Sequence, residues 1–327
     1  MSRPFRFGLQ SYAADTAEDW RQQARRAESM GFSTFSVADH VIGPGPALAA
    51  TNHPVQNVAA VPAMAVAIEA TDTINIGSRV FCTDYRQPVM FAKELATLDF
   101  FADGRLELGL GCGWLQGEYE AMGVRWDRAG VRIDRFEETI DLLRQHFGAG
   151  EVDISGEHVE ATGFEGVPKP ADGVPPIMIG GGAKRILGIA GREADIVSLN
   201  FDNSSGKIGP DGVGSSTAEL TEAKIGYVRD GAAERSDGRG FDHLEIEIGA
   251  YFTVVTDDRT GTLGQMAPMF SLEPDQLAEH PHALIGSVDA ICDQLAERRE
   301  TYGISYVTFG ASVVDAVGPI VERLSGT

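Results

Sequence analysis

Cysteine and positive charge are scarce in this chain of 327 residues, and long apolar runs are missing. The three cysteines, Cys82, Cys112 and Cys292, are too few and too far apart for a disulfide framework or a thiolate metal site. Against 48 Asp and Glu stand only 27 Lys and Arg, a net charge of −21. That balance argues against nucleic acid as a partner and serves solubility. The most apolar stretch, 55–70, is interrupted by Gln56, Asn57, Pro62 and Glu69, which excludes a bilayer span. The opening MSRPFRFGLQ has no apolar core and no small-residue cleavage site. No secretory signal is therefore expected, and the expected location is cytoplasmic.

What is present is a regular alternation. Segments 5–10, 32–38, 74–81, 105–110, 176–179, 195–199, 244–255 and 305–309 read as strands, rich in β-branched and aromatic residues. Each is followed by at least one segment of helical spacing. Thr16 suits an N-cap and Gly31 a stop for the first helix, and Pro88 suits the start of a later one. The segment 55–70 reads as a helix throughout. Over 128–147 the spacing predicts a face of Ile133, Phe136, Ile140 and Leu143, with Leu142 at its edge and Arg144 towards solvent. A small hairpin is expected within 151–169, and helical pieces around Pro268 and Pro274. Gly, Ser and Asp crowd 202–216, which is expected to be a mobile loop. Eight strand–helix units predict an α/β fold, a (β/α)8 TIM barrel forming one domain over 1–327, with a doubly wound open sheet as the alternative.

In such a barrel the functional groups lie at the C-terminal ends of the strands. This predicts a rim of Gln10, Asp39, His40, residues 79–83, Gly111 to Trp114, Gly180 to Gly182, Asn200, Phe201 and Gly310. Gly109, Gly111 and Gly113 leave main-chain amides open to a flat ligand. They are only half of a dinucleotide fingerprint, on the wrong strand for it. Gly180-Gly181-Gly182 precedes a helix and reads either as a phosphate cradle, aided by Lys184 or Arg185, or as a tight turn. Asp39-His40 suits proton transfer near neutral pH, or a histidine satisfying loop backbone. His280-Pro281-His282 has no third metal ligand nearby and is expected in a solvated loop. Cys82 and Cys112 are expected to be buried and inert. Trp114 either stacks on a ligand or caps the barrel. Glu118 either orients a ligand or joins Arg128 or Arg132 at the surface.

Several long motifs carry a family resemblance: FRFGLQ at the start, AESMGFSTFSVADHV at the second strand, and INIGSRVF to LELGLGCGWLQGEYEAMGV. PPIMIGGGAKRILGIAGREADIVSLN and ALIGSVDAICDQL extend it. Together they resemble the luciferase-like monooxygenase superfamily, in its coenzyme F420-dependent oxidoreductase branch. The resemblance implies F420, or alternatively FMN, over the C-terminal rim, with a non-prolyl cis peptide near Arg79-Val80. It implies His40 as the catalytic residue beside the cofactor ring. Asp39, Arg79, Val80, Cys112, Gly113, Gly180, Gly181 and Gly182 would line the cofactor. Gln10, Trp114, Asn200 and Phe201 would face a small-molecule substrate. The family's sugar-phosphate and alcohol dehydrogenases carry a glutamate where this chain has Trp114, and a tryptophan where it has Val41-Ile42-Gly43-Pro44. Hydride transfer to an activated C=C or C=N bond is therefore expected rather than alcohol oxidation. An FMN-dependent monooxygenase and a non-catalytic cofactor-binding barrel are the alternatives. A homodimer is a further expectation.

Overall fold

The computed structural model describes residues 3–327. Its eight barrel strands are β1 (Arg6–Ser11), β2 (Thr34–Val37), β3 (Asn75–Ser78), β4 (Leu106–Gly111), β5 (Ile177–Gly181), β6 (Ile196–Leu199), β7 (Glu245–Gly249) and β8 (Ile304–Gly310). Successive strands pair in parallel, and β8 returns to β1 with Gln10 opposite Gly310. That closure makes the (β/α)8 barrel and excludes the open sheet. No helix among the described residues is long and apolar enough to cross a membrane.

Alternation along the strands divides two kinds of contact. Phe7 and Leu9 of β1 point outward and join the apolar layer beneath the helices, where Phe35, Ile76, Leu108 and Phe309 are also buried. The inward positions are polar. Arg6 bonds Glu245 at 2.8 Å and Glu107 at 2.7 Å, and its guanidinium lies 3.7 Å from the centre of the Tyr306 ring. The Tyr306 hydroxyl donates to Glu107 at 2.8 Å. Burial pushes the Glu107 carboxyl up against the opposing pull of Arg6. Buried ion pairs of this kind add little net stability, yet losing one partner strands the other.

Between β3 and β4 the register slips by one residue. Gly77 lies opposite Glu107, but Phe81 lies opposite Leu110, so the third strand carries one extra residue, within which the Arg79–Val80 peptide is cis. The bulge crosses β4 closely. A Cβ on Gly109 would stand 1.9 Å from the Ser78 carbonyl oxygen, and one on Gly111 would stand 2.9 Å from Val80. The alternate glycines thus admit a neighbouring strand, whatever else they admit.

Several elements depart from the sequence pattern. The helix expected over 55–70 begins only at Ala60, because Gln56 is buried and ties down the end of β2. Its amide donates to the Ala38 carbonyl at 2.7 Å, and its oxygen accepts from the His40 amide at 3.2 Å. Leu142, expected at an edge, is fully buried beneath the hairpin Glu151–Ser155 and Glu160–Glu165, against Val152 and Ile154. Arg144 is bonded to Glu193 rather than free in solvent. The long strand expected over 244–255 is two: after β7 the chain leaves the barrel, and Phe252–Val255 pairs in parallel with Ala283–Gly286. The 202–216 segment includes a short helix, Pro210–Gly214, and reaches across the rim, where the Ile208 amide donates to the Thr51 carbonyl at 2.9 Å.

His280 and His282 are not in a solvated loop; both are buried beside this outer strand pair. His280 Nε2 donates to the Val213 carbonyl at 3.1 Å, and His282 Nδ1 donates to the Gly249 carbonyl at 2.8 Å. His280 Nδ1 then accepts from the His282 amide at 3.2 Å, as a neutral ring must. Burial holds His280 down to about 4 and His282 well below its ordinary value.

Two outcomes are expected. Gly109→Ala should lower stability by about 2 kcal/mol or more, since the strand or the bulge must move. Gly188→Ala, where a Cβ meets nothing within 4 Å inside the helix Lys184–Glu193, should be neutral or stabilising by up to about 1 kcal/mol. Urea midpoints for the two variants compare them; similar values would contradict the close crossing. The second concerns acid. Below the ordinary histidine range the unfolded chain binds protons that folded His280 and His282 refuse. Stability should therefore fall as pH drops from about 6.5 towards 4, by about 2 kcal/mol at pH 5 from His280, with His282 acting in the same direction. His282→Gln should flatten that slope, and an unchanged slope would show that the ring is not held neutral.

Candidate active site at the carboxyl end of the barrel

His40 follows β2, and its Nδ1 lies 2.8 Å from Glu118 Oε2. Glu118 sits in the first turn of the helix Gln116–Met122, which the loop after β4 delivers beside β2. Its side chain has no solvent exposure. The carboxylate accepts from the Val41 amide at 2.5 Å, the Ile42 amide at 3.2 Å and the Tyr85 hydroxyl at 2.9 Å. Burial opposes its charge, but the bonds from His40, Val41 and Tyr85 outweigh that cost and hold the carboxyl below its usual range. An ionised Glu118 fixes the His40 proton on Nδ1. Among the described residues, Nε2 has no hydrogen-bond partner.

Two further rings enclose His40. His53 packs on it with ring centres 3.8 Å apart, and Trp114 stands edge-on at 6.0 Å. His53 Nδ1 donates to the Pro54 carbonyl at 2.8 Å. Burial, together with the neighbouring His40, pushes His53 down to about 4, so it is neutral at neutral pH. Trp114 thus lies against the two histidines.

The other residues singled out from sequence divide by what their atoms already hold. Asp39 is buried, accepts from both Arg86 amino groups at 2.6 and 2.7 Å, and accepts the Cys82 amide at 3.0 Å. Its carboxylate is occupied by protein. Arg79 turns into the barrel, where its Nε meets Glu247 at 2.9 Å. Gln10 donates to the Arg79 carbonyl at 2.9 Å, and Val80 fills the space left by Gly111 and Gly180. Arg132, instead of joining Glu118, donates to the Cys112 and Gly113 carbonyls at 3.3 and 3.4 Å. Cys82 is buried as expected while Cys112 is only partly so, yet desolvation pushes the Cys112 thiol up to about 11 and the Cys82 thiol higher still, so neither is a thiolate at neutral pH.

At the end of β5, a Cβ on Gly182 would stand 2.2 Å from the Phe201 carbonyl, so that glycine is needed for packing. Gly181 is similarly tight against Ile186. The helix Lys184–Glu193 that follows has no side chain capping its first turn. Arg185 is bonded to Asp134 and Glu137, leaving Lys184 as the cation without an ion pair among the described residues. Asn200 accepts from the Tyr251 hydroxyl at 2.6 Å, and Phe201 packs against both Tyr251 and His282.

Sequence reasoning left Glu118 undecided and did not reach His53, Tyr85 or Tyr251. The Trp114-x-x-x-Glu118 spacing was the available signal for Glu118. Nothing local marks the other three, which come from separate loops.

A family model described as luciferase-like monooxygenase matches residues 1–261. An F420-dependent glucose-6-phosphate dehydrogenase of Amycolatopsis mediterranei is 30% identical over 58% of this chain and 54% of its own length. The chain thus spans little more than half of that relative. An FMNH(2)-dependent dimethylsulfone monooxygenase of Pseudomonas fluorescens is 32% identical over 37% of this chain and 33% of its own. The solved structure of an F420-dependent secondary alcohol dehydrogenase, in complex with an F420-acetone adduct, superposes with a TM-score of 0.75. It covers 97% of both chains at 19% identity, a likeness of fold. By the match over residues 1–261, this chain belongs to the luciferase-like monooxygenase family.

Proposed function

We propose that this protein is an F420-dependent oxidoreductase that moves a hydride between the deazaflavin C5 and a small organic substrate. Reduction of an activated C=C or C=N bond is the favoured reaction. The observation that carries this reading is the His40–Glu118 pair, buried on one side and free at Nε2 on the other. The F420-dependent relatives support the cofactor.

The donor set suits an anionic cofactor. The uncapped first turn of the helix Lys184–Glu193 offers main-chain amides to a phosphate, and Lys184, exposed with its ammonium 5.3 Å from the centre of the Tyr227 ring, is a cation at that helix start. Val80, Cys112 and Gly113 would lie along the ring, with the Cys112 and Gly113 carbonyls already held by Arg132. When bound, the deazaflavin supplies or accepts the hydride. The chain's own contribution is position and a proton. Glu118 keeps Nδ1–H in place, so His40 exchanges its mobile proton at Nε2. His53 packs on that ring and Trp114 stands edge-on to it, which restrains its rotation. The FMN-dependent monooxygenase is the second reading, supported by the dimethylsulfone monooxygenase relative.

Fluorescence titration with F420 and with FMN tests the cofactor. F420 is expected to bind at least about tenfold more tightly, a difference of about 1.4 kcal/mol. Tight FMN binding with no affinity for F420 would overturn the reading. Steady-state kinetics test the pair. His40→Asn should lower kcat by about 100-fold or more, and Glu118→Gln should lower it by a similar order. The double variant should be no slower than His40→Asn alone, because the two side chains act as a unit. Additive losses would mean that Glu118 acts independently of His40.

A further inference from the structure

His40 is one proton carrier at the barrel mouth, and the Tyr251 hydroxyl is a second hydrogen-bond donor there. Tyr251 lies just beyond the end of β7, is 44% exposed, and folds back over the barrel opening. Its ring is fixed from one side by Phe201, at 5.2 Å, and by His282, stacked at 5.4 Å. Its oxygen accepts from Arg79 at 3.1 Å and donates to Asn200 Oδ1 at 2.6 Å. Arg79 also reaches Asn200 Oδ1, at 3.4 Å.

This arrangement has a chemical consequence. A phenol has one proton to give, and the Arg79 N–H on its oxygen leaves that proton to point away from the guanidinium. Asn200 does not depend on it, since Arg79 is a second donor to the same oxygen. The Tyr251 proton can therefore turn to an incoming acceptor while the half-buried Asn200 oxygen keeps its longer contact to Arg79 at 3.4 Å. Glu247 balances the Arg79 charge on its inner edge, and what Arg79 adds at the mouth is a charge-assisted N–H on the Tyr251 oxygen, which makes the phenol a better donor to an acceptor that gains negative charge. Tyr251 also stands on a different side of the rim from His40, since β7 and β2 are separated by β8 and β1.

We propose that Tyr251, backed by Arg79, is the hydrogen-bond donor to a substrate carbonyl oxygen, and that the substrates include α,β-unsaturated carbonyl compounds. The proposal rests on the hydride-transfer reading above, with the reduced deazaflavin as reductant. The hydride adds to the β-carbon, and the C=C electron pair shifts to leave an enolate whose oxygen is held by the Tyr251 O–H. The His40 imidazolium gives its Nε2 proton to the α-carbon. The enolate becomes a saturated ketone, and His40 is left neutral with Nδ1–H on Glu118. Two electrons and two hydrogens are accounted for.

The test uses 2-cyclohexen-1-one, carbon-13 labelled at the carbonyl, with the full chain and with Tyr251→Phe. In difference infrared spectra the carbonyl stretch of the bound probe should lie lower in the wild type than in Tyr251→Phe, with or without F420. In turnover with reduced F420, Tyr251→Phe should lower kcat by about 100-fold, with KM changing far less. An identical stretch in both proteins, or equal kcat, overturns the assignment of Tyr251. A wild type that binds F420 and reduces a cyclic imine but not the enone overturns the substrate class. A chain that fails to bind F420 brings down the reading beneath it as well, and the titration above registers that failure separately.

Discussion

A carboxylate with no exposure to water must be surrounded by donors, and Glu118 draws its donors from two neighbouring loops. Val41, Ile42 and His40 come from the loop after β2, and Tyr85 from the turn after β3. Glu118 itself arrives on the loop after β4. One charged side chain thus fixes the relative positions of three neighbouring rim segments. The tautomer of His40 follows from it, and so does the packing of His53 and Trp114 on that ring. A neutral side chain of the same size would keep some of the hydrogen bonds but lose the charge that orders them.

The barrel below the rim is built on the same logic. Its inward face carries Arg6, Glu107, Glu245, Tyr306, Glu247 and Arg79 where aliphatic layers are more usual. Buried pairs of this kind specify a register more than they stabilise it, because each group tolerates only its own partner. The chain closes by matching charges as well as by strand pairing. The apolar contribution comes from outside the barrel, where the helices cover Phe7, Leu9 and their neighbours. Arg79 links the two levels. Its inner edge satisfies Glu247, and its outer edge orders Gln10, Asn200 and Tyr251 at the mouth.

The glycines of β4 show how a correct local reading can have a different cause. Their spacing marks a strand that something approaches closely. The group approaching Gly109 is the Ser78 carbonyl of the neighbouring strand, and Gly111 meets Val80. Gly182 likewise yields to the Phe201 backbone. What these positions admit within the protein itself is a neighbouring main chain or side chain.

The sequence by itself determined the eight strands, their order, the helices between them and the ring of positions at their carboxyl ends. Those features repeat every two or 3.6 residues, or sit at caps and turns, so neighbours along the chain are enough to read them. It also determined that His40 stands on that ring. The tertiary structure decided which polar side chains are free and which are already engaged. Asp39 is taken by Arg86, Arg79 by Glu247, and Glu118 by His40, partners between 47 and 168 residues away. His280 and His282 look like a solvated pair in the sequence, yet burial in the tertiary structure holds both rings neutral, with the Val213 and Gly249 carbonyls taking their N–H protons. Pairing across such distances depends on how the barrel closes, and no local pattern records it.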